Sequence, residues 1–219
     1  MVKLFYLFIV YAILGWLMEV MIVSIHKKSL SARGFLVGPW CPIYGFGAVF
    51  ITLFLKKYNN DLWALFVNSF LLGSILEYFT SYIMEKLFKA RWWDYSDHKY
   101  NLNGRISLTT SLGFGVLGVI VVKIFNPFFM KFPNSISPVI FNIIMILIFI
   151  IFLSDVVFSY TVISRIKKIS KDQKDITEIS TDELKKALKN KSYFNRRLLN
   201  SFPNLKFNIK NLQNNDIMK

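Results

Sequence analysis

Residues 4–25 read LFYLFIVYAILGWLMEVMIVSI, with a single charged side chain, Glu19. A helix that crosses the roughly 30 Å hydrocarbon core of a bilayer needs about 20 mainly apolar residues, so this stretch reads as a membrane span. Its apolar run is too long for a cleavable signal peptide, Glu19 interrupts it, and no small-residue cleavage site follows; it is expected to stay as the first helix. Four further stretches carry few or no charges: 34–55, 62–84, 106–122 and 137–163. The expected fold is therefore all-α, a polytopic helical membrane protein with about five transmembrane helices. Residues 1–164 form the transmembrane domain and 165–219 a basic tail.

The second stretch is unlike the others. It opens GFLVGPWCP over residues 34–42, and Pro39 and Pro42 prevent one regular helix. Only about 13 residues then remain to Leu55, short of a span, which favours part of the motif lying within the membrane. Irregular backbone survives at that depth only when it is buried in protein or lines a wet cavity. A surface loop with Trp40 at the interface is the alternative.

Charge sets an expected orientation. Lys27, Lys28 and Arg33 follow the first span, and Lys86, Lys89, Arg91, Lys99 and Arg105 surround the loop after the third. From Arg165 onward the chain has fourteen Lys/Arg and six Asp/Glu, +8 of the total +14. The positive-inside rule gives an outside N-terminus and a cytoplasmic tail. Within the tail, Ser180 and Glu183 have the form of a capping box. Leu184, Leu188, Leu198 and Phe202 then recur at near-helical spacing among basic residues, the pattern of an amphipathic helix on an anionic lipid surface.

Within this frame one pattern occurs twice. Gly15 and Glu19, then Arg33-Gly34, then Gly45-Phe46-Gly47 are followed by Gly73 and Glu77, then Gly104-Arg105, then Gly113-Phe114-Gly115. With five spans the copies fall on equivalent hairpins, as in a parallel internal repeat. A carboxylate in hydrocarbon is costly and marks a candidate functional position. Glu19, Glu77 and Asp155 each lie roughly 22–27 Å from the outer side at 1.5 Å per residue. Arg33 and Arg105 are the cations expected to meet them in a polar pocket open to the cytoplasm. Trp93, Asp94 and Asn103, in the loop after the third span, add aromatic and hydrogen-bonding groups at its mouth. Glu85, two turns past Glu77, lies nearer the surface. Ion pairs that only orient helices, Glu77 with Arg105 among them, are the structural alternative.

Several activities are excluded by motif. There is no Gly-x-x-x-x-Gly-Lys-Ser/Thr, so this chain is not a P-loop ATPase. There is no Gly-x-Ser-x-Gly elbow and no His-Glu-x-x-His. One cysteine, Cys41, excludes an internal disulfide, and with His26 and His98 it makes no zinc signature. No cofactor is implied. Basic and aromatic residues belong to spans and interfaces, and nucleic-acid binding is not proposed.

An ordered set of residues carries a resemblance. Gly15-Trp16 and Glu19, Arg33-Gly34-Phe35-Leu36, Gly38-Pro39, Cys41-Pro42-Ile43-Tyr44-Gly45, Glu85, Trp92-Trp93-Asp94-Tyr95-Ser96, Asn101-Leu102 and Gly104-Arg105-Ile106 resemble the bacterial membrane family labelled putative ABC-transporter type IV, or putative ABC transporter permease. Ser107 stands where many relatives are expected to have Cys, which argues against an essential thiol. The resemblance implies a permease subunit in the cell membrane, working with a separate ATPase. The first reading is thus a permease-like protein that binds a small molecule in the pocket of Glu19, Arg33, Glu77, Arg105 and Asp155. The second is an intramembrane enzyme acting on lipid headgroups, with Glu77 or Glu85 as base and Arg33 and Arg105 on phosphate. The third is a membrane scaffold or regulator acting through its tail. Membrane lipids are partners in each, and association as a homo-oligomer is open.

The charge pattern makes a direct prediction. Reporter fusions at Lys57 and Lys131 should read external, and fusions at Lys99 and Lys219 cytoplasmic; a cytoplasmic signal at Lys57 would overturn the topology.

Overall fold

The computed structural model of the chain describes residues 1–28, 34–88, 90–172, 196–197 and 206–207. Helices α1 (Val2–Lys27), α2 (Pro42–Phe54), α3 (Leu62–Phe88) and α4 (Leu108–Ile120) are followed by two short helices, α5 (Asn126–Phe129) and α6 (Lys131–Ser135), and the long α7 (Pro138–Asp172). Four segments have the length and composition to cross a membrane: Val2–Ile25, Leu62–Phe88, Leu108–Ser135 and Pro138–Val162. The expected helical membrane fold is therefore present, with α2 as a fifth, shorter apolar helix.

Two segments differ from their expected lengths. The fourth span does not stop near Val122. A π-helical turn, Val121–Phe125, carries the chain from α4 into α5 and α6. That turn absorbs the break before Pro127, which sits in the first turn of α5, where its missing N–H costs little. The last span likewise continues as one helix to Asp172. The proposed amphipathic helix of the tail lies outside the described residues, apart from Arg196 and Arg197.

The prolines account for α2. Pro42 takes the first helical position, where its fixed φ starts a helix. The Cys41 N–H donates to the carbonyl of Ala12 at 2.9 Å, so α2 begins beside the middle of α1. Its 13 residues extend only ~20 Å, about two thirds of the hydrocarbon core. The irregular stretch 34–41 precedes it.

Two helical hairpins pack by the same rule. In the first, a Cβ on Gly15 would collide with the Tyr44 ring, and one on Gly45 would lie 2.6 Å from the Phe8 carbonyl oxygen. In the second, a Cβ on Gly73 would lie 2.5 Å from Phe114 Cβ, and one on Gly115 2.6 Å from Phe66 Cε2. Phe8 and Phe66 each stand seven residues before Gly15 and Gly73. The packing thus matches Tyr44-Gly45 to Phe114-Gly115. The sequence pairing of Gly45-Phe46-Gly47 with Gly113-Phe114-Gly115 is two residues out of register with it. The α3–α4 seam continues through Ser69 against Gly118 and a 2.7 Å hydrogen bond between the Ser74 and Ser111 hydroxyls. Apolar lipid offers helices little hydrophobic reason to associate, and small residues let the backbones approach.

Near the N-terminal face, Leu7, Ile51, Leu65, Val121 and Phe141 share one core. A polar chain crosses it: Tyr11 Oη donates to Asn126 Oδ1 at 2.7 Å, and Asn126 Nδ2 to Thr52 Oγ1 at 2.9 Å. The opposite face, called here the loop face, carries strands β1 (Ala90–Arg91), β2 (Asn101–Leu102), β3 (Ile106–Ser107) and β4 (Lys206–Phe207). β2 and β3 form a hairpin closed by Arg105 N–H to the Leu102 carbonyl, 3.0 Å. Asn103 and Gly104 both have positive φ, 54° and 65°, the type I′ geometry that selects Asn-Gly. Ser107 then caps α4 reciprocally with Thr110. β4 of the tail pairs with β1.

The seam predicts a contrast among α3 and α4 glycines. Gly73→Ala and Gly118→Ala should each cost about 1–3 kcal/mol by overpacking. Gly113→Ala, whose Cβ would meet nothing within 4 Å, should be neutral or slightly stabilising through helix propensity. Thermal unfolding in one detergent checks all three.

Candidate functional site

Asp155 lies on α7 17 residues after Pro138, about 25 Å along the helix. Its carboxylate gathers the irregular stretch before α2. Oδ1 accepts from the Val37 N–H at 2.9 Å and from Ser159 Oγ at 3.0 Å; Oδ2 accepts from the Gly38 N–H at 2.7 Å and from Trp40 Nε1 at 2.9 Å. Gly38 is needed for this approach, since a Cβ there would meet Asp155 Oδ2 at 2.9 Å. On the other side of the same stretch, the Arg197 guanidinium donates to the Leu36 and Val37 carbonyls at 2.9 and 2.8 Å.

The other two intramembrane carboxylates have tyrosines. Glu19, half-buried on α1, accepts from Tyr44 Oη at 2.7 Å. Glu77, only 5 % exposed on α3, accepts from Tyr95 Oη and from Thr110 Oγ1, both at 3.1 Å. The two pairs lie within electrostatic range, Glu19 of Glu77 and Tyr44 of Tyr95. The expected partner of Glu77, Arg105, is engaged elsewhere. It forms an ion pair with Glu85 at 2.9 Å and donates to Ser81 Oγ at 3.2 Å, with Tyr78 and Tyr82 ring centroids 5.7 and 5.5 Å from its guanidinium carbon. Ser81 and Glu85 follow Glu77 at four-residue steps along one face of α3. Arg105 reaches the two nearer the loop face, and Glu77 is one turn too deep.

The loop after α3 closes this end. Arg91 bonds Glu85 at 3.5 Å, Asp94 at 3.3 Å and the Asn103 carbonyl at 2.7 Å. Asp94 also accepts from the Ser96 N–H at 3.1 Å. Trp93 Nε1 donates to the Arg105 carbonyl at 3.0 Å, and Asn103 Nδ2 donates to Tyr78 Oη at 3.0 Å. Of the residues singled out by sequence, Trp93, Asp94, Asn103 and Arg105 are therefore together, and Glu77 joins them through Tyr95. Glu19 meets them across the Tyr44 pair, Asp155 stands apart under the 34–41 stretch, and Arg33 lies outside the described residues.

Between the hairpins is a cavity of about 330 Å³. Gly15 and Met18 of α1, Tyr44, Gly47 and Ile51 of α2, Gly73 and Leu76 of α3, and Phe114 and Leu117 of α4 are among its walls. They are almost wholly apolar. Both glycine–aromatic contacts of the repeated packing border it. Met18 and Leu76 line its loop-face end, and the next residues in sequence are Glu19 and Glu77.

The family model described as "Putative ABC-transporter type IV" matches residues 6–160. The chain belongs to that family. No curated protein and no solved structure matches it. The matched region spans every element that builds the carboxylate sites and the cavity, and ends within α7. Membership and the four spanning helices make this a multi-pass membrane protein of a transport-related family. Sequence reasoning had not assigned Tyr44, Tyr95 and Thr110 to the carboxylates. A signal was present: the CPIYG and WWDYS motifs of the family resemblance each contain one tyrosine, and each tyrosine reaches a carboxylate.

Cys41, the sole cysteine, reports on the Asp155 contacts. Asp155→Leu leaves the Gly38 amide and the Trp40 indole N–H without their acceptor, at about 1–3 kcal/mol each, while the Val37 amide keeps Ser159 Oγ at 3.2 Å. It should loosen the 34–41 stretch and speed maleimide labelling of Cys41 several-fold. Asp155→Asn, which keeps one acceptor oxygen, should fall between Leu and wild type.

Proposed function

We propose that this chain is the membrane-embedded subunit of a small-molecule transport system, and that its ligand occupies the cavity between the two hairpins. The observation that carries the reading is the placement of that cavity. It lies where the repeated glycine–aromatic contacts of both hairpins meet, the location at which transporters built from repeats hold substrate. The energy source is a separate ATPase subunit, since the chain has no P-loop motif. Membership of a family described as ABC-transporter type supports that partner. The loop face is cytoplasmic by its Lys/Arg content. The basic tail keeps close to it, through Arg197 on the 34–41 stretch and β4 on β1.

The volume also suits a ligand. Ligand sites run about 300–1,000 Å³ and are lined mainly by apolar groups, with a few polar ones to fix orientation. Glu19 with Tyr44, and Glu77 with Tyr95 and Thr110, are the polar groups nearest the cavity's loop-face end. Glu85, Arg91, Arg105 and Asp94 form a network of ion pairs beyond them. The reading therefore puts Glu19 and Glu77 at the ligand, and Arg105, Trp93, Asp94 and Asn103 in the loop that covers it. Asp155 holds the 34–41 stretch that forms the approach to α2.

Gly47 gives a clean test. It lines the cavity, and a Cβ there meets only Leu76 Cδ2, at 3.5 Å. Gly47→Leu should fill the space without breaking the helix packing. Gly113→Leu, on open helix surface, is the control. Lipids and metabolites would be compared between cells lacking the chain and cells complemented with each form. Wild type and Gly113→Leu should restore the compounds that shift, and Gly47→Leu should not, at an unchanged unfolding temperature. A Gly47→Leu protein that restores them would overturn the reading.

A further inference from the structure

The reading above leaves the ligand's chemistry open; accepting that reading, the surroundings of Glu77 specify it. Glu77 is 5 % exposed, and its hydrogen-bond donors are two neutral hydroxyls, Tyr95 Oη and Thr110 Oγ1. Among the described residues no cation is bonded to it. The two nearest candidates on the loop face are committed. Arg105 is held by Glu85 and Ser81. Arg91 is held by Glu85, Asp94 and the Asn103 carbonyl. Among the described residues these two arginines meet Glu85 and Asp94, and neither bonds the deeper Glu77.

An uncompensated carboxyl at this depth must take up a proton or meet a cation. It stands just beyond the cavity's lining, where one arriving from the cavity would meet it. Glu77 lies one turn past Gly73 on the same face of α3, and its donor Thr110 one turn before Phe114; Gly73 and Phe114 both line the cavity. Glu19 of the facing hairpin is within electrostatic range of it. Two aromatic rings, Tyr44 and Phe114, border the space between, one from each hairpin. Such rings attract an organic cation over their faces. An anionic ligand would face the Glu77 carboxylate, and a neutral one would bring it no counter-charge.

From this arrangement we infer that the site takes a hydrophobic amine, a molecule whose apolar body fills the cavity between α1, α2, α3 and α4 and whose ammonium group meets Glu77. The two recognition elements are separable. The apolar walls bind the body whatever its head, and Glu77 selects the charge. A charge-assisted hydrogen bond contributes about 1.5–3 kcal/mol, which is roughly tenfold or more in affinity.

Three probes of one length separate the elements: hexylamine, hexanol and hexanoate. Each is titrated calorimetrically into the full chain in phosphatidylcholine nanodiscs, with empty nanodiscs subtracted. The expected order is hexylamine roughly tenfold tighter than hexanol, with hexanoate weakest. In Glu77→Gln, an isosteric change, hexylamine should fall to the level of hexanol while hexanol itself is unchanged. In Gly47→Leu all binding should be lost. An amine that binds no tighter than hexanol, or a preference that survives Glu77→Gln, overturns the amine assignment. If hexanol still binds wild type and not Gly47→Leu, the cavity remains the ligand site and only the charge selection fails. If none of the probes binds wild type, both the assignment and the cavity reading fall. Should Glu77→Gln not fold, the wild-type order decides: hexylamine no tighter than hexanol overturns the assignment.

Discussion

The Asp155 carboxylate is the constraint on which the arrangement of the first hairpin depends. Backbone at membrane depth cannot leave its amides unpaired, and the stretch before α2 has no helix of its own to pair them. Asp155 accepts the Val37 and Gly38 amides and the Trp40 indole, all from one position on α7. Its two oxygens, with Ser159 behind them, let the chain stay irregular down to Cys41. There the Ala12 carbonyl accepts the Cys41 amide, and α2 starts beside the middle of α1. The half-length of α2 is therefore tied to a residue more than a hundred positions later in the chain.

That broken crossing is also what makes the two hairpins unequal. Both pack a glycine of the descending helix against an aromatic of the ascending one, Gly15 with Tyr44 and Gly73 with Phe114. The second ascending helix begins at the loop face, with Ser107 as its cap and Thr110 free to turn its hydroxyl to Glu77. With Tyr44 matched to Phe114, the first begins four residues, about one turn, deeper, and Tyr44 reaches from α2 to bond Glu19. The same buried-acid problem is thus met by a hydroxyl of the first helical turn in one hairpin and by a long phenol in the other. A Tyr from the WWDYS loop completes the Glu77 side.

Much of this was legible in the sequence, and the rest was not for definable reasons. Hydropathy gave the spans because lipid leaves little choice of what may face it. Pro39 and Pro42 gave the short second helix. The glycines and acids of the repeat marked the right places, yet the glycine–phenylalanine register was off by two, because the contacts pair an aromatic with its following glycine and Tyr44 was read as a motif residue alone. The pairing of Glu77 with Arg105 followed from choosing the nearest cation in sequence. Depth decides otherwise: Arg105 meets Glu85 and stops at Ser81, a turn short of Glu77. The cavity could not be read at all. It is the space left when Gly15, Gly47 and Gly73 fall between two hairpins, and no single residue announces it.

The size of that space bears on how the protein rests in a membrane. Voids in protein interiors cost about 24 cal/mol per Å³, so the cavity of about 330 Å³, if sealed and empty, would cost on the order of 8 kcal/mol. Whole domains are stable by only about 5–15 kcal/mol. Helices in lipid lack the hydrophobic drive that could offset such a void. Water is a poor occupant, because a buried water needs two or more polar partners and the walls offer few. On the proposed reading an apolar body, a lipid tail where no ligand is bound, would fill this space. Entry of a ligand would then exchange one apolar body for another, nearly balanced in buried area. The free energy that selects the ligand would come from the polar end of the site, which that reading places at Glu19 and Glu77.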